Sequence, residues 1–451
     1  MIPDSLSIER LELSPEQQGW LDKAWEQIDE TRLGQLVAGM VAIPSPTGEE
    51  RDLAQHLAAV LADAGLDGRY QAIDDRQGNA VGRLDGSGDG PDLLLYAPID
   101  TLTAGNAAED VPWIGPQLRP DMRPEAITSG PWVVGLGASN PKGHGACIVA
   151  ATEAVARAGV PLRGSVRVGL GAGGMPTNRR PVDTVTRNNA GQGNGCSFML
   201  EQGVYPDFAI IAKPGWTVDW EEVGLCWFRI RVHGRFSYVG SRHRIAFKNP
   251  IVDAATVVQA LEAWFPEYAA ANTSGLVAPQ ANIGHIEGGW SRTASLSPAE
   301  CVVDIDVRVS PRTTPAEVRR QFMGAVDAMR TAHPELDLSW EMTLSIPGTS
   351  TPPDTWIVQS CGRAWEAVEG RPYEGACNTS GATDANILRQ KGIPTARIGM
   401  PKLRDHDGGE VDFSMGMNAV DPASMAWLTR ALVYGIIDTC TRDRAAVGLP
   451  G

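Results

Sequence analysis

Only a few residues in this chain have both the chemistry and the setting to do work. Lys213, in IIAKPG, leaves an apolar run just before a proline. An ammonium there can polarise a carbonyl or hold an oxyanion or a carboxylate. Stripped of water, it can serve as a base or an imine-forming nucleophile. The plain alternative is a solvated loop lysine. His406, between Asp405 and Asp407, is a candidate general acid or base, or a member of a salt-linked surface loop. Asn140 and Lys142 flank Pro141 at the start of a helical pattern. The amide is either a site group or a helix N-cap, and the lysine adds to a positive field. Asp100, in APIDT, can orient a nearby cation.

The loop TSGATD brings Thr379, Ser380, Thr383 and Asp384. Hydroxyls and close-packed amides suit a carboxylate or amide ligand. The other reading is a turn ahead of a helix capped by Asp384. His243 and Arg244 suit an acidic substrate or only solvent. His144, in a first helical turn, reads as solvent-facing. Cys147 reads as packed core, and Cys377 sits in a Gly/Ser/Thr-rich loop.

The elements that must position these groups alternate. GNAVGRL (78–84), LLLYAP (93–98), SVRVGLGAGG (165–174) and FAIIA (208–212) read as strands, and 142–159 as a helix. A short run apolar on every residue suits a strand covered on both faces, so a mostly parallel α/β layer is expected. Helices are also expected over 16–44 and 50–65. From about 224 the pattern changes to strands of alternating polarity (226–235, 281–289, 301–310 and 337–345) with helices at 250–265 and 315–332. That is a β-α-β-β-α-β, ferredoxin-like unit. The α/β character returns with a helix at 354–368, a strand at 394–399 and a helix near 423–440. The expected architecture is an α/β domain over 1–223 and 346–451 with an inserted domain over 224–345.

The 451 residues carry 39 Lys+Arg against 54 Asp+Glu, a net charge of −15. That balance argues against a nucleic-acid or anionic-membrane partner. No apolar run is long enough to span a bilayer, the N-terminus lacks a secretory pattern, and seven scattered cysteines fit a reducing cytoplasm. GAGG (171–174) lacks the spacing of a phosphate loop or dinucleotide fingerprint, so no nucleotide cofactor is expected.

Six landmarks in order resemble the M20 metallopeptidase and amidohydrolase family, whose relatives include aminoacylase, acetylornithine deacetylase and carboxypeptidase G2. They are LLLYAPIDT (93–101), GLGASNPKGHGA (135–146), VHGRFSYVG (232–240), NIGHIEGG with VDIDVRVSP (303–311), SGATDAN (380–386) and IGMPKLRDHDGGE (398–410). The resemblance implies a zinc-peptidase-like α/β domain plus an inserted lid that pairs two chains into a homodimer. It places Tyr238 where relatives carry a lid histidine; the phenol can still donate one hydrogen bond to an oxyanion. It also matches Asn282 to a substrate-contacting asparagine and Arg308 to a structural arginine.

The family's site implies two zinc ions held by two histidines and three carboxylates, with a glutamate as base. Here Pro98 stands at the first histidine position and Asn140 at the bridging aspartate. GAGGMP (171–176) stands at the base and a glutamate ligand, and Lys213 at another carboxylate ligand. Only His406 matches a ligand. The expectation is therefore an M20-like enzyme with no metal or other cofactor, acting on a small amide, N-acyl amino acid or related carboxylate. Lys213 and His406 would take over the electrostatic and proton-transfer roles. Metal-free lyase, isomerase or transferase chemistry, or an inactive ligand-binding homologue, are the alternatives. A lower-ranked idea is one metal on His406 with Glu221, Glu222 or Glu410.

Overall fold

A computed structural model describes residues 8–177, 191–375, 378–405 and 407–450. The chain forms two compact units. One comprises Glu221–Ser350 with 378–382; the other comprises the described residues of 8–220, 351–375 and 383–450.

The larger unit is built on a six-stranded mixed sheet. In spatial order its strands are Arg69–Ala72, Gly78–Leu84, Val166–Gly171, Leu93–Pro98, Phe208–Ala212 and Thr395–Ile398. The last four run parallel, and the first two form an antiparallel edge. Every residue of LLLYAP, FAIIA and TARI is buried, as continuous apolar runs in covered parallel strands should be. The helix Lys142–Arg157 lies within this core, packed against Pro422–Cys440 and Glu30–Val41. A fully buried Arg363–Asp438 pair at 2.7 Å ties two helices together, and Arg442 shares the same carboxylate at 2.9 Å.

The N-terminal helical pattern breaks into two helices, Pro15–Trp25 and Glu30–Val41. Apolar spacing alone joined them. The break comes from Asp29, whose carboxylate accepts the Thr31 amide at 2.8 Å and starts a new helix. The edge strand Arg69–Ala72 and the hairpin Ile127–Ser129 with Trp132–Val134 gave no clear pattern. They are short, and the first two are largely exposed.

The smaller unit has a four-stranded antiparallel sheet in the order Ala281–Gly288, Glu300–Val309, Gly224–His233, Leu338–Ile346. Two helices, Pro250–Asn272 and Pro315–Ala332, pack on one face. Alternation along Glu300–Val309 is strict: Cys301, Val303, Ile305, Val307 and Val309 are buried. Phe228 and Phe322 stack with ring centroids 4.0 Å apart at its centre. The helix Pro250–Asn272 runs seven residues past its expected end, through Pro266. Pro266 lies on the exposed side of the helix, where water can serve the carbonyl its missing N–H leaves behind.

Candidate active site

The carboxyl ends of three parallel strands meet in the larger unit. Leu93–Pro98 delivers Asp100, Val166–Gly171 delivers the loop Gly173–Met175, and Phe208–Ala212 delivers Lys213. Ligand sites in open α/β sheets form at such edges. Gly399 lets the neighbouring chain pass close: a Cβ there would lie 1.9 Å from the Lys213 carbonyl oxygen.

Lys213 is buried, which removes the reading of a solvated loop lysine. Its Nζ donates to Asn140 Oδ1 at 3.2 Å. Asn140 does not cap the following helix; Pro141 holds the cap position with no side-chain bond. Instead, the Asn140 Nδ2 donates to Met417 Sδ at 3.3 Å, a soft and weak acceptor.

Asp100 is fully buried. Its carboxylate accepts the Thr47 hydroxyl at 2.7 Å, the Gly174 amide at 2.8 Å and the Met175 amide at 3.0 Å. Burial pushes its pKa up; the Thr47 and Met175 hydrogen bonds and the Lys213 charge oppose that rise. Beside it sits Glu50, a residue that the sequence reading passed over. Glu50 Oε1 accepts the Gly48 and Gly173 amides, both at 3.0 Å, while Oε2 is buried with no partner. Burial, then the Asp100 charge, raise the Glu50 pKa to about 8. Of the two carboxyls, Glu50 is the proton holder: Asp100 has more donors and faces Lys213. Three successive amides, 173 to 175, are thus divided between two acids.

Pro98 and Gly174 approach closely. A Cβ on residue 174 would lie 2.3 Å from Pro98 Cβ, an atom that any side chain at 98 would carry, so position 174 requires glycine.

Lys142 is fully buried, and its Nζ donates to the Ile43 carbonyl at 2.9 Å. Burial lowers its pKa to about 7. His144 is buried rather than solvent-facing. Its Nδ1 meets the Ser139 carbonyl oxygen at 2.8 Å, so Nδ1 carries the hydrogen, and Nε2 has no partner. Burial chiefly, then the charges of Lys213 and Arg397, lower its pKa to about 3, so the ring is neutral.

A cavity of about 520 Å³ opens beside this cluster, with Asn140 and Met175 in its wall. Its rim carries Leu102, Trp113 and Phe413, and Arg119 lies in its wall. A second, of about 280 Å³, is lined by His144, Pro214, Gly215 and Met400. The two share Asp412, Phe413 and Met417.

Of the other sequence candidates, Asp384 is buried and accepts the Tyr96 hydroxyl at 2.7 Å. The Thr383 hydroxyl accepts the Ala385 amide at 3.2 Å, so threonine rather than Asp384 meets the start of that helix. Thr379 and Ser380 belong to the smaller unit. The Thr379 hydroxyl donates to the Leu276 carbonyl at 3.2 Å, and Ser380 Oγ accepts the Gln280 amide at 3.1 Å. Tyr238, His243, Arg244 and Asn282 are exposed on that unit, and Arg308 pairs with Asp306 at 2.9 Å. Glu221 is engaged by Arg312 and by the Leu276 amide. His406 and Cys377 lie outside the described residues. Cys147 is a buried core thiol, its pKa pushed up to about 12 by burial.

The donor set can be tested against a pair of metal ions. Around Asp100 stand one further carboxyl, Glu50, and then a proline, an asparagine, two glycines and a buried lysine. Among the described residues, no three His, Cys, Asp or Glu side chains gather to hold a metal. These residues do not fit a dinuclear centre.

Residues 221–330 match the family described as the M20 peptidase dimerisation domain. The whole chain is similar in fold to a tripeptidase from Staphylococcus aureus, at 16% identity and a TM-score of 0.63 over 91% of this chain and 98% of that one. It is similar to human carnosine dipeptidase 1, at 14% identity and a TM-score of 0.68 over 93% and 98%. A Bacillus subtilis protein described as a dinuclear metal-binding M20 peptidase gives 13% identity and a TM-score of 0.57 over 90% and 97%. The class is defined by these likenesses: the chain has the M20 peptidase fold.

Proposed function

We propose that this protein is an M20-type enzyme that acts on a small amide or N-acyl amino acid without a dinuclear metal centre. The observation that carries the reading is the buried Lys213 ammonium, bonded to Asn140 at the wall of a 520 Å³ cavity and opposed by Asp100. An ammonium in a low-dielectric site can stabilise charge that develops on a carbonyl oxygen. Asn140 extends that charge to the cavity: its Oδ1 accepts a hydrogen bond from the lysine, which polarises the Nδ2 group toward a substrate acceptor. The Asp100 carboxylate, clamped by three donors, offers an opposing charge to Lys213. His406 is assigned proton transfer on its sequence position. Hydrolysis is the default reaction, and the M20 likeness supports it.

One observation favours a second reading. The Gly173–Met175 loop offers no carboxylate toward the cavity, so a ligand-binding homologue without turnover fits the same geometry. We further propose a homodimer through 221–330. The six described cysteines are free and buried, which suits the cytoplasm. Among the described residues, no helix is long and apolar enough to cross a membrane.

Amino-group release from N-acetyl and N-benzoyl amino acids in EDTA separates the two. The enzyme reading expects turnover that survives EDTA and falls at least about a hundredfold in Lys213→Met with the fold intact. Full activity in Lys213→Met, or loss of all activity in EDTA, refutes it. Binding without turnover in the wild type selects the second reading.

A further inference from the structure

The 520 Å³ cavity has polar walls and an apolar mouth, and that asymmetry bears on the substrate. Its size suits a drug-sized organic group. One polar wall is Asn140, backed by Lys213. The mouth carries Leu102, Trp113 and Phe413, which are 58%, 79% and 82% exposed. Met122 and Met417 continue the apolar lining inward. Two aromatic rings this exposed, on one cavity, are an unmet apolar surface.

The charges on the Arg119 wall disfavour an anionic occupant. Arg119 donates to Asp121 at 2.8 Å and to Asp412 at 2.9 Å. One cation serves two carboxylates, so this wall is formally negative. The other oxygen of Asp121 is engaged as well, by the Ser414 hydroxyl at 2.7 Å. A carboxylate placed here would meet repulsion, whereas an uncharged ring would bury apolar surface against Trp113 and Phe413.

We infer that the substrate places a bulky, uncharged, apolar acyl group, an aromatic one by preference, in this cavity with its carbonyl oxygen on Asn140. This deepens the proposed function and rests on it. The acyl group enters past Trp113 and Phe413, and methionines inside adapt to its shape. The substrate carboxylate stays outside this cavity.

The test is calorimetric titration of the full chain with N-benzoylglycine, N-acetylglycine and N-succinylglycine. Burying a phenyl ring in place of a methyl group is worth at least about tenfold in affinity. The expected order is therefore benzoyl at least tenfold tighter than acetyl, with succinyl weakest. The double variant Trp113→Ala, Phe413→Ala should cut the benzoyl preference to about threefold or less. Both side chains are exposed, so the fold survives, and a thermal melt verifies it. Equal binding of all three, tighter binding of acetyl or succinyl, or an unchanged preference in the double variant overturns the inference alone. Failure of all three to bind the wild type overturns the amide-site reading and this inference with it.

Discussion

Glu50→Gln isolates the acid pair at the heart of the larger unit. In the folded protein the Glu50 carboxyl keeps its proton to about pH 8, against an ordinary value of 4.5. The cause is burial beside Asp100, with one oxygen bare. Between these two values the folded state holds a proton that the unfolded state has lost. Stability from this group is therefore full below pH 4.5, declines as pH rises, and is lost by the time pH passes 8. At ~1.4 kcal/mol per pH unit, the 3.5 units between 4.5 and 8 give roughly 5 kcal/mol at the limit. Asp100 shares the titration, so about 2–5 kcal/mol is the working range. Glutamine keeps the acceptor for the Gly48 and Gly173 amides but has no proton to lose. Wild type and Glu50→Gln should match near pH 4.5. By pH 8.5 the variant should be the more stable by about 2–5 kcal/mol. Urea unfolding at pH 5, 6.5, 8 and 8.5, followed by circular dichroism, reads the difference. Parallel pH profiles for the two proteins would refute the assignment of the proton to Glu50.

Lys142 supplies the opposite sign. Its pKa falls from 10.5 to about 7 in the folded state, so its contribution to stability rises with pH across that window. Lys142→Met should flatten the alkaline side of the stability profile by a few kcal/mol, measured in the same unfolding series. Phe322→Ala should cost the smaller unit about 3–5 kcal/mol through the cavity left beside Phe228, seen as a lower unfolding midpoint.

The residues that could be read in advance were those whose role is written in local pattern. LLLYAP announces a covered strand, and CVVDIDVRVS announces a half-exposed one, because burial on two faces or one leaves a period in the sequence. Lys213 could be singled out because it follows such a strand directly. Glu50 could not, because its importance arises from meeting Asp100 and Gly173 across large sequence separations. Its nearest signal was the turn PSPTGEE, which places an acid just after a tight bend. The close approach of Gly174 to Pro98, the last residue of its strand, joins segments distant in sequence, and no single-residue reasoning contains it. Trp113 lies in irregular chain and Phe413 opens the short helix Phe413–Asn418, so no period marks them as a cavity rim. The break at Asp29 shows the same limit from another side: one capping carboxylate overrode an apolar repeat that ran straight through it.

The central claim is the proposal that the Lys213 charge does the electrostatic work of the site without a pair of metal ions. The direct test is calorimetric titration of zinc into protein first stripped with EDTA, with elemental analysis of the unstripped protein alongside. The account predicts no pair of tight sites, and Lys213→Glu should raise zinc affinity by restoring a carboxylate. Two zinc ions per wild-type chain, bound with a submicromolar Kd, would contradict it.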